Sequence, residues 1–521
     1  MVARLAGQIR RGGQIGTWSD REQRRLGDFR ELNSFDPLAA EWYHERTLYM
    51  KKSVAAIDFN PQFTVAFAAM EKTRKHIFLT GRAGTGKSTL LQHFRLHTKK
   101  KIAVLAPTGV AAVNVSGQTI HSFFHFKPDI TVSKVERLPP DEAVLYVNLD
   151  TIVIDEISMV RADLLDCADT FLRLNGPDKR RPFGGVQMIF VGDLHQLPPV
   201  VTADEESIFS SHYASPYFFS AQVFSGPPQQ RELFDDRLDF CLELIELKKI
   251  YRQTDRKFIS LLNAIRDNAA TDQDIRTLNS RCVEHEAVAR DDLAMYLMTT
   301  NAMAAERNAR ELAQLKGTEH VYPGTVKGVF DYKALPTDMT LAVKVGAQVM
   351  MLTNDPEGRW INGTTGTVKS IKHDEEIKAD LIKIELATGR TVSVGPHTWD
   401  MFEFTYDRSS QMITSDTVGS FIQYPFKLAW AITIHKAQGK TFERVVLDIG
   451  RGTFSPGQLY VALSRVTSLE GLKLTKPIQP RHIWNDRRVA EFLRALSGRA
   501  RPATCLLPGK RIDSTPDSIN N

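Results

Sequence analysis

The chain has 521 residues, too many for one ordinary hydrophobic core and suited to about three or four domains. Hydrophobic residues make up 42% of it and charged residues 25%, which excludes a largely disordered chain, a collagen-like fibre and a coiled-coil rod. The 67 basic and 61 acidic side chains leave a net charge of +6, which fits a polyanionic partner without requiring one.

The cysteine and hydropathy patterns indicate the compartment. The four cysteines lie far apart and form no CxxC pair, which argues against a zinc knuckle or a disulfide framework. Reduced thiols in an intracellular compartment, whether cytoplasm, nucleoid or nucleus, are expected. The sequence contains no run of about 18 apolar residues, so we predict no contact with a membrane interior.

Residues 1–55 are predicted to form a flexible basic extension, because arginines crowd there among glycines and glutamines without a hydrophobic period. Two alternatives stay open. Residues 1–19 carry three arginines and no acid, as a mitochondrial transit peptide would. Met50 is also a candidate start, which would make residues 1–49 an extension.

From about residue 57, short apolar runs rich in β-branched residues alternate with helical segments. Each run is followed within two residues by Gly, Pro or Asp, where a turn or an active-site loop would begin. Burial on both faces is typical of a parallel sheet in a doubly wound α/β domain. The runs are Ile77–Leu79, Ile102–Leu105, Thr151–Ile154 and Met188–Val191.

The first apolar run leads into a phosphate-binding sequence that fits GxxxxGK[ST]. Its glycines let backbone N–H groups surround phosphate oxygens at a helix N-terminus. Lys87 is predicted to contact the β- and γ-phosphates and Ser88 to ligate Mg²⁺, so the expected cofactors are ATP and Mg²⁺. The nucleotide-binding residues predicted here are Gly81, Gly84, Thr85, Gly86, Lys87, Ser88 and Thr89.

Polar residues at two later strand ends complete a hydrolysis site. Asp155 is suited to holding the metal, and Glu156 to orienting and deprotonating the attacking water. Gln196, after the fourth run, is a neutral donor and acceptor able to sense a γ-phosphate. A lone Asp-Glu pair is usually a solvated loop, but its place at the end of a buried strand favours ATP hydrolysis.

The second half of the chain repeats the α/β texture around a different segment. Leu293–Met298 and Val445–Leu447 read as further buried strands. Between about 310 and 415 the pattern alternates instead: residues 382–386 and 391–394 flank a Thr-Gly turn and predict a β-hairpin. A strand with Phe402, Phe404 and Tyr406 on one face follows, so we predict a small inserted β-barrel.

Near the end of the chain, four apolar residues at helical spacing predict an amphipathic helix: Val489, Phe492, Leu493 and Leu496. The proline-containing tail after Ser497 is predicted to be mobile.

Further motifs follow in a fixed order along the chain. They are Ala106–Ala112, Gly117–Phe124, Asp155–Val160, Phe183–Gln187, Gly192–Val200, Tyr251–Gln253, Val345–Met350, Asn362–Gly366, Thr433–Gly439 and Tyr460–Arg465. Over about residues 57–475 this ordered set resembles the PIF-type (petite integration frequency) DNA helicases, the RecD-like B class of helicase superfamily one.

The resemblance implies an α/β fold with two RecA-like P-loop domains, ATP in their cleft, single-stranded DNA across the top and a small SH3-like β insert. The expected domains are a first RecA-like domain at 56–225 with a short wedge insert near 122–148, a second at 226–309 and 416–482, the insert at 310–415, and a C-terminal helix and tail at 483–521.

The resemblance also implies roles for single residues. Gln62 matches an adenine-reading glutamine, Arg252 and Arg465 match arginines that reach the γ-phosphate from the second domain, and Gly439 lies in a loop near the phosphates. The residues that match DNA-contacting motifs are Pro107, Thr108, His121, Ser122, Phe123, His195, Thr433, His435 and Lys436. Of these, Phe123 is an aromatic able to stack on a base.

The function expected from this resemblance is an ATP-dependent 5′→3′ DNA helicase that acts as a monomer on single-stranded, forked or structured DNA. Two alternatives stay open, an RNA helicase of the same superfamily and an ATP-dependent nucleic-acid remodelling module that does not unwind. A nuclease fusion is disfavoured, because no additional carboxylate cluster lies outside the ATPase motifs.

Overall fold

The computed structural model describes residues 60–498, except 128, 202, 225–241, 254, 284–292, 331, 333–334, 356 and 410. The predictions for residues 1–55 and for the tail after residue 498 therefore lie outside the described residues.

The described strands are β1 (His76–Gly81), β2 (Ile102–Ala106), β3 (Gln118–Thr119), β4 (Thr151–Ile154), β5 (Gln187–Val191), β6 (Leu242–Leu247), β7 (Met295–Met298), β8 (His320–Pro323), β9 (Thr325–Gly328), β10 (Thr340–Val343), β11 (Gln348–Met351), β12 (Thr365–Asp374), β13 (Ala379–Leu386), β14 (Thr391–Val394), β15 (His397–Asp407), β16 (Met412–Gln423), β17 (Phe426–Leu428), β18 (Ala431–Thr433), β19 (Val445–Asp448) and β20 (Leu472–Leu474). The described α-helices are α1 (Pro61–Lys72), α2 (Lys87–His97), α3 (Gly109–Asn114), α4 (Ile120–Phe123), α5 (Val144–Val147), α6 (Ala162–Asn175), α7 (Ala203–His212), α8 (Arg256–Arg266), α9 (Asp272–Asn279), α10 (Asn301–Gln314), α11 (Gln458–Leu463) and α12 (Arg487–Ser497).

A six-stranded parallel sheet with the order β3-β2-β4-β5-β1-β6 forms the first α/β domain. The four apolar runs predicted as strands are four of its members, and their side chains are almost all buried. Since β4, β5 and β1 are neighbours, their carboxyl ends meet at one edge of the sheet. The phosphate loop and the two polar clusters that follow these strands are thereby brought together, as in other open α/β sheets.

Strand β6 belongs to the first sheet. Its residues lie in the range expected for the second domain, yet it pairs with β1 along its whole length, from Leu242 opposite His76 to Leu247 opposite Gly81. The first sheet therefore continues to residue 247. The sequence Leu-Glu-Leu-Ile-Glu-Leu alternates like a half-exposed edge strand, and that pattern does not indicate which sheet the strand joins.

The second parallel sheet has the order β18-β7-β19-β20, and helices α8 and α11 contribute to its core. The predicted runs at 293–298 and 445–447 supply β7 and β19, which confirms a second α/β set. Parallel sheets of this kind are typical of RecA-like helicase folds.

Antiparallel strands occupy the segment between β7 and β18. A five-stranded sheet has the order β14-β13-β12-β11-β17 and surrounds its own apolar core. The predicted hairpin is confirmed as β13 and β14, with Gly389 in the turn at a φ of +81°. The β15–β16 hairpin extends to the first domain, where the Phe404 N–H donates to Gln118 Oε1 at 3.0 Å.

The predicted C-terminal helix is confirmed as α12 and packs on the first domain. The Phe492 ring stacks on Phe219 with centroids 4.3 Å apart and also contacts Phe78 and Phe218. Among the described residues, no helix is long and apolar enough to cross a bilayer.

Candidate functional site

The phosphate loop joins β1 to α2 and needs glycine at two positions. Gly84 and Gly86 have φ values of +80° and +83°. A Cβ atom on Gly84 would lie 2.5 Å from the Arg252 Cβ, and one on Gly86 would lie 2.8 Å from the Phe63 ring. Both the left-handed backbone and the close approach of neighbours therefore exclude a side chain.

Lys87, the first residue of α2, points its ammonium into this loop. Its Nζ donates to the Gly81 carbonyl at 2.7 Å and to the Arg82 carbonyl at 3.2 Å. Burial lowers the pKa of Lys87, while the nearby carboxylates of Asp193 and Glu156 oppose that shift. The loop thus holds a buried cation among backbone groups, which is a suitable environment for phosphate oxygens.

Asp155 and Glu156 follow β4 and lie beside the loop. Glu156 has a left-handed φ of +51°, and its N–H donates to Asp155 Oδ1 at 2.9 Å. Burial, followed by repulsion from Glu156, raises the pKa of Asp155 to about 7, and burial also raises the pKa of Glu156. Two buried carboxyl groups this close favour a bound cation between them and the phosphates.

The oxygen donors present fit Mg²⁺ held together with a nucleotide. Mg²⁺ usually binds one or two protein oxygens and completes its shell with phosphates and water. Ser88 in the first turn of α2 and Asp155, directly after β4, are the residues that would provide that pair of oxygens. The described residues contain no cluster of three His, Cys, Asp or Glu side chains that would form an all-protein metal site.

A buried network around Asp193 links the loop to the second domain. Asp193 forms an ion pair with Arg266 at 3.3 Å, and its Oδ2 accepts from the Tyr460 hydroxyl at 3.3 Å and from Gln196 Nε2 at 3.4 Å. Burial opposes ionisation, but Arg266 and Lys87 outweigh it and lower the pKa of Asp193 to about 2.

The Tyr460 hydroxyl also accepts from the Ala83 N–H of the phosphate loop at 3.1 Å. Sequence reasoning selected Gln196 from this network and missed Asp193, Arg266 and Tyr460, which lie far apart in the chain.

The two predicted arginines lie next to each other beside the loop. Arg252 donates to the carbonyls of Ser464 and Gly439, both at 3.3 Å. Arg465 is 1% exposed and donates to the Val461 carbonyl at 2.9 Å and to the Ser464 hydroxyl at 2.7 Å. Burial, followed by repulsion from Arg252, lowers the pKa of Arg465 to about 9.

Gln438 brings the loop after β18 into direct contact with the predicted base. Its Nε2 donates to Glu156 Oε2 at 3.1 Å, while Gly439 next to it has a left-handed φ of +79°. Sequence reasoning carried over Gly439 and overlooked Gln438. The signal was available, since Gln438 lies inside the Thr433–Gly439 motif.

Gln62, the predicted adenine reader, lies at the start of α1. Its Oε1 accepts from the Lys248 N–H at 3.0 Å, just after β6. Asn60 caps the same helix and donates to the Tyr251 hydroxyl at 2.7 Å. These contacts fix the orientation of the Gln62 carboxamide and leave its Nε2 group available as a donor.

In the first domain, the predicted DNA-contacting residues converge on one groove. Pro107, Thr108 and His121 line a cavity of about 1310 Å³, and the side chain of Ser122 is exposed. The Thr108 hydroxyl accepts from the Ala111 N–H and so caps α3. Burial lowers the pKa of His121, and charged side chains, among them Arg161 and Asp163, line the same cavity.

The structure corrects the prediction that the Phe123 ring stacks on a base. Its ring is 2% exposed and packs edge-on against Phe124, Tyr146 and Phe404, with centroids 4.9, 5.4 and 6.1 Å away. Its carbonyl also accepts from the Tyr146 hydroxyl at 2.6 Å. A ring enclosed in this way cannot stack on a base, so Phe123 is a core residue.

The structure also corrects the prediction that Thr433, in the second domain, contacts DNA. It is 3% exposed, and its hydroxyl accepts from the Lys436 N–H at 3.3 Å. Thr433 therefore shapes the loop after β18 and does not present its hydroxyl to solvent. On the same loop, His435 is half-buried and Lys436 is exposed.

The structure places an exposed aromatic beside this loop that sequence reasoning missed. Phe454 is 59% exposed, and its ring stacks on His435 at an angle of 17° with centroids 6.2 Å apart. His195, between the two halves, is half-buried, and burial lowers its pKa to about 4. Its Nδ1 has no hydrogen-bond partner among the described residues.

The phosphate loop, the carboxylates and the two adjacent arginines define a P-loop ATPase with two parallel α/β domains. Comparisons with known proteins narrow this class. The model of the PIF1-like helicase family matches residues 62–275. ATP-dependent DNA helicase Pif1 of Bdellovibrio bacteriovorus is 32% identical over 459 residues, which cover 85% of this chain and 94% of that protein. The chain belongs to the PIF1-like helicase family.

Solved structures agree with this assignment. The crystal structure of Bacteroides sp Pif1 in complex with ADP-AlF4 covers 85% of this chain and 98% of its own, with 33% identity and a TM-score of 0.75. Bacteroides Pif1 bound to ssDNA has the same identity and coverage, with a TM-score of 0.59. The chain spans about 61% of the length of human PIF1, to which it is 33% identical.

Proposed function

We propose that this chain couples ATP hydrolysis to 5′→3′ movement along single-stranded DNA and thereby unwinds duplex or structured DNA. The family supplies the ATP-dependent DNA helicase activity. The observation that carries the coupling is the hydrogen bond from Gln438 to Glu156, because the same loop holds His435 and Lys436 on the DNA side. If this loop shifted along a DNA strand, Gln438 would move relative to the carboxylate of Glu156.

In this proposal, each side chain of the nucleotide site has one role. Bound ATP and Mg²⁺ supply the phosphoanhydride and neutralise its charge. Lys87 would exchange its contacts with the two loop carbonyls for contacts with phosphate oxygens, and Ser88 and Asp155 would hold the metal. Glu156, held by Gln438, orients the attacking water and accepts its proton. Gln62 would read the adenine through its Nε2 group.

The domain assignment follows the sheets. Residues 60–247 form the first RecA-like domain, in which the segment near 122–148 is the wedge. The antiparallel sheets between β7 and β18 form the SH3-like insert, which is supported by their separate core. The β15–β16 hairpin connects this insert to the first domain through Phe404.

The proposed DNA track runs from the groove at Pro107, Thr108 and His121 to His435 and Lys436. Sequence-independent binding of a single strand combines cationic contacts to phosphates with aromatic surfaces that stack on bases. Lys436 supplies the first kind of contact. Phe454 supplies the second and takes the role that was predicted for Phe123.

Replacement of Phe454 tests the stacking surface. We expect Phe454→Ala to weaken single-strand binding by about 1–3 kcal/mol, or roughly five- to 150-fold, because one base loses its stacking partner. Phe454→Tyr should retain most of the affinity. Fluorescence anisotropy with a labelled oligothymidylate measures both variants. Equal affinity for wild type and Phe454→Ala would remove Phe454 from the track.

Replacement of Lys436 tests the backbone contact separately. Affinity for single strands should fall log-linearly with salt, with a slope of about 0.7 per neutralised phosphate. Lys436→Ala should reduce that slope by somewhat less than one unit without changing base preference, whereas Phe454→Ala should leave the slope unchanged. A slope in Lys436→Ala equal to that of wild type would place Lys436 outside the track.

The proposed function is tested with duplexes that carry one single-stranded tail. We expect ATP-dependent unwinding of a duplex with a 5′ DNA tail and little unwinding of its 3′-tailed counterpart. The same pair with RNA tails tests the choice of nucleic acid. Equal or better unwinding from the 3′ tail would overturn the polarity, and unwinding confined to RNA tails would overturn DNA as the substrate.

A further inference from the structure

Three lysines converge where the antiparallel insert meets the second domain. Lys427 lies on β17, while Lys436 and Lys440 lie on the loop after β18. Lys427 is paired in register with Met350, whose side chain belongs to the core of the second domain. Residues directly opposite each other in an antiparallel pair point to the same face, so Lys427 points toward the second domain.

The surroundings of this lysine cluster are fixed by hydrogen bonds from three parts of the fold. The Lys440 Nζ donates to Asn362 Oδ1 at 2.7 Å, and Asn362 Nδ2 donates to Asn114 Oδ1 at 3.3 Å. Asn114 ends α3, the helix that Thr108 caps. These hydrogen bonds therefore link the lysine cluster, which includes Lys436 of the proposed DNA track, to the first domain.

The charges in the lysine cluster are poorly balanced. The groups that act on Lys427 are Lys440 and Lys436 on the loop after β18 and Asp338 in the segment before β10. The Thr337 hydroxyl holds that segment on β17 by donating to the Phe426 carbonyl at 2.9 Å. Burial, followed by repulsion from Lys440 and Lys436, lowers the pKa of Lys427 to about 7, and burial lowers that of Lys440 to about 8.

We propose that Lys427 and Lys440 form a further binding site for a backbone phosphate of the single strand. This inference rests on the proposed function. The site suits an anion because Lys440 and Lys436 repel the charge on Lys427, and Asp338 is the one acid acting on Lys427 among the described residues. A phosphate satisfies both lysines without reading base identity.

The direction of the pH effect follows from the pKa of Lys427. A neighbouring phosphate favours the charged ammonium and raises this pKa toward its ordinary value. The complex then holds more protons than the free protein, so affinity is full below about pH 7 and is lost as the pH rises above it. Burial lowers the pKa values of His121, His195 and His435, so these groups are already neutral in that range.

Binding of a labelled oligothymidylate to the full chain, without nucleotide and at constant ionic strength, tests the site from about pH 6.5 to pH 9. We expect wild-type affinity to fall three- to tenfold per pH unit above about pH 7. The double variant Lys427→Arg/Lys440→Arg should match wild type at about pH 6.5 and lose the pH dependence, because arginine stays charged. Lys427→Met should weaken binding at least about threefold at pH 6.5.

Lys369→Met is the matched control, because Lys369 lies in the same five-stranded sheet but is paired with Glu385 at 2.5 Å. It should retain both the wild-type affinity and its pH dependence. Calorimetry at about pH 8 in HEPES and in Tris, two buffers without phosphate, should show uptake of about one proton by wild type and none by the double arginine variant.

Equal heats in the two buffers, or an unchanged pH dependence in the double variant, would overturn the lysine site while leaving the proposed function intact. A wild-type chain that binds no oligothymidylate at about pH 6.5 would instead overturn the proposed function, and this inference with it.

Discussion

Lys87→Ala and Glu156→Gln are each expected to abolish ATP turnover. The first variant removes the ammonium that donates to the Gly81 and Arg82 carbonyls inside the phosphate loop. The second keeps the shape of the side chain and its contact with Gln438 but removes the proton acceptor. General base catalysis contributes about 10²–10⁴-fold, so steady-state phosphate release should fall at least a hundredfold.

Binding of single-stranded DNA without nucleotide should be largely unchanged in both variants, because the proposed track lies on other loops. Lys75→Ala and Glu243→Gln are matched controls. They form an ion pair at 3.3 Å near the opposite, amino-terminal ends of β1 and β6. Both controls should hydrolyse ATP normally. Substantial hydrolysis by Lys87→Ala or Glu156→Gln would contradict the assignment of the site.

Features encoded by contiguous residues could be predicted from the sequence. The phosphate loop is one example, because eight adjacent residues carry the motif and the preceding strand is a continuous apolar run. The carboxylates of Asp155 and Glu156 are another example. The strand before them is buried on both faces, which predicts a parallel sheet, and in such a sheet the carboxyl ends of all strands lie at the same edge.

Features made by residues distant in the chain could not be predicted in this way. Asp193, Arg266 and Tyr460 form one buried network, but no local pattern connects their positions. The roles of Phe123 and Phe454 were inaccessible for the same reason. Both are aromatic residues near a motif, and only the tertiary packing decides that the first is enclosed and the second exposed.

From the contacts of the two arginines we propose that ATP hydrolysis is coupled to movement of the two domains. The first domain contributes the phosphate loop, and the second contributes Arg465, which attracts Glu156 electrostatically. Arg252 adjoins the loop itself, since the Tyr251 N–H donates to the Gly84 carbonyl at 2.8 Å. Both guanidinium groups hydrogen-bond to groups of the second domain, chiefly its backbone carbonyls. A γ-phosphate would compete for these donors and draw the two domains together.

Arg252→Ala and Arg465→Ala are therefore each expected to lower DNA-stimulated kcat at least about tenfold. A planar, permanently charged fork suits the charge that develops on the transferring phosphoryl group. An arginine in this role contributes roughly 10³–10⁵-fold in other phosphate-loop enzymes, so tenfold is a conservative threshold. Binding of a fluorescent ATP analogue should weaken far less than kcat falls. Because Arg465 is buried, Arg465→Lys is measured beside Arg465→Ala. The lysine variant should keep the fold while it loses the planar guanidinium group.

Arg281→Ala is the matched control for these arginines. Arg281 also donates to backbone carbonyls of the second domain, those of Leu472 at 3.0 Å and Glu470 at 2.7 Å, but it lies near β20 and contacts no residue of the phosphate loop. If the arginines near the loop merely stabilised the second domain, all three alanine variants would lower the melting temperature, and kcat would be similar in all three. If they act on the phosphoryl group, kcat falls for Arg252 and Arg465 only. Near-normal turnover of either variant would remove that arginine from the mechanism.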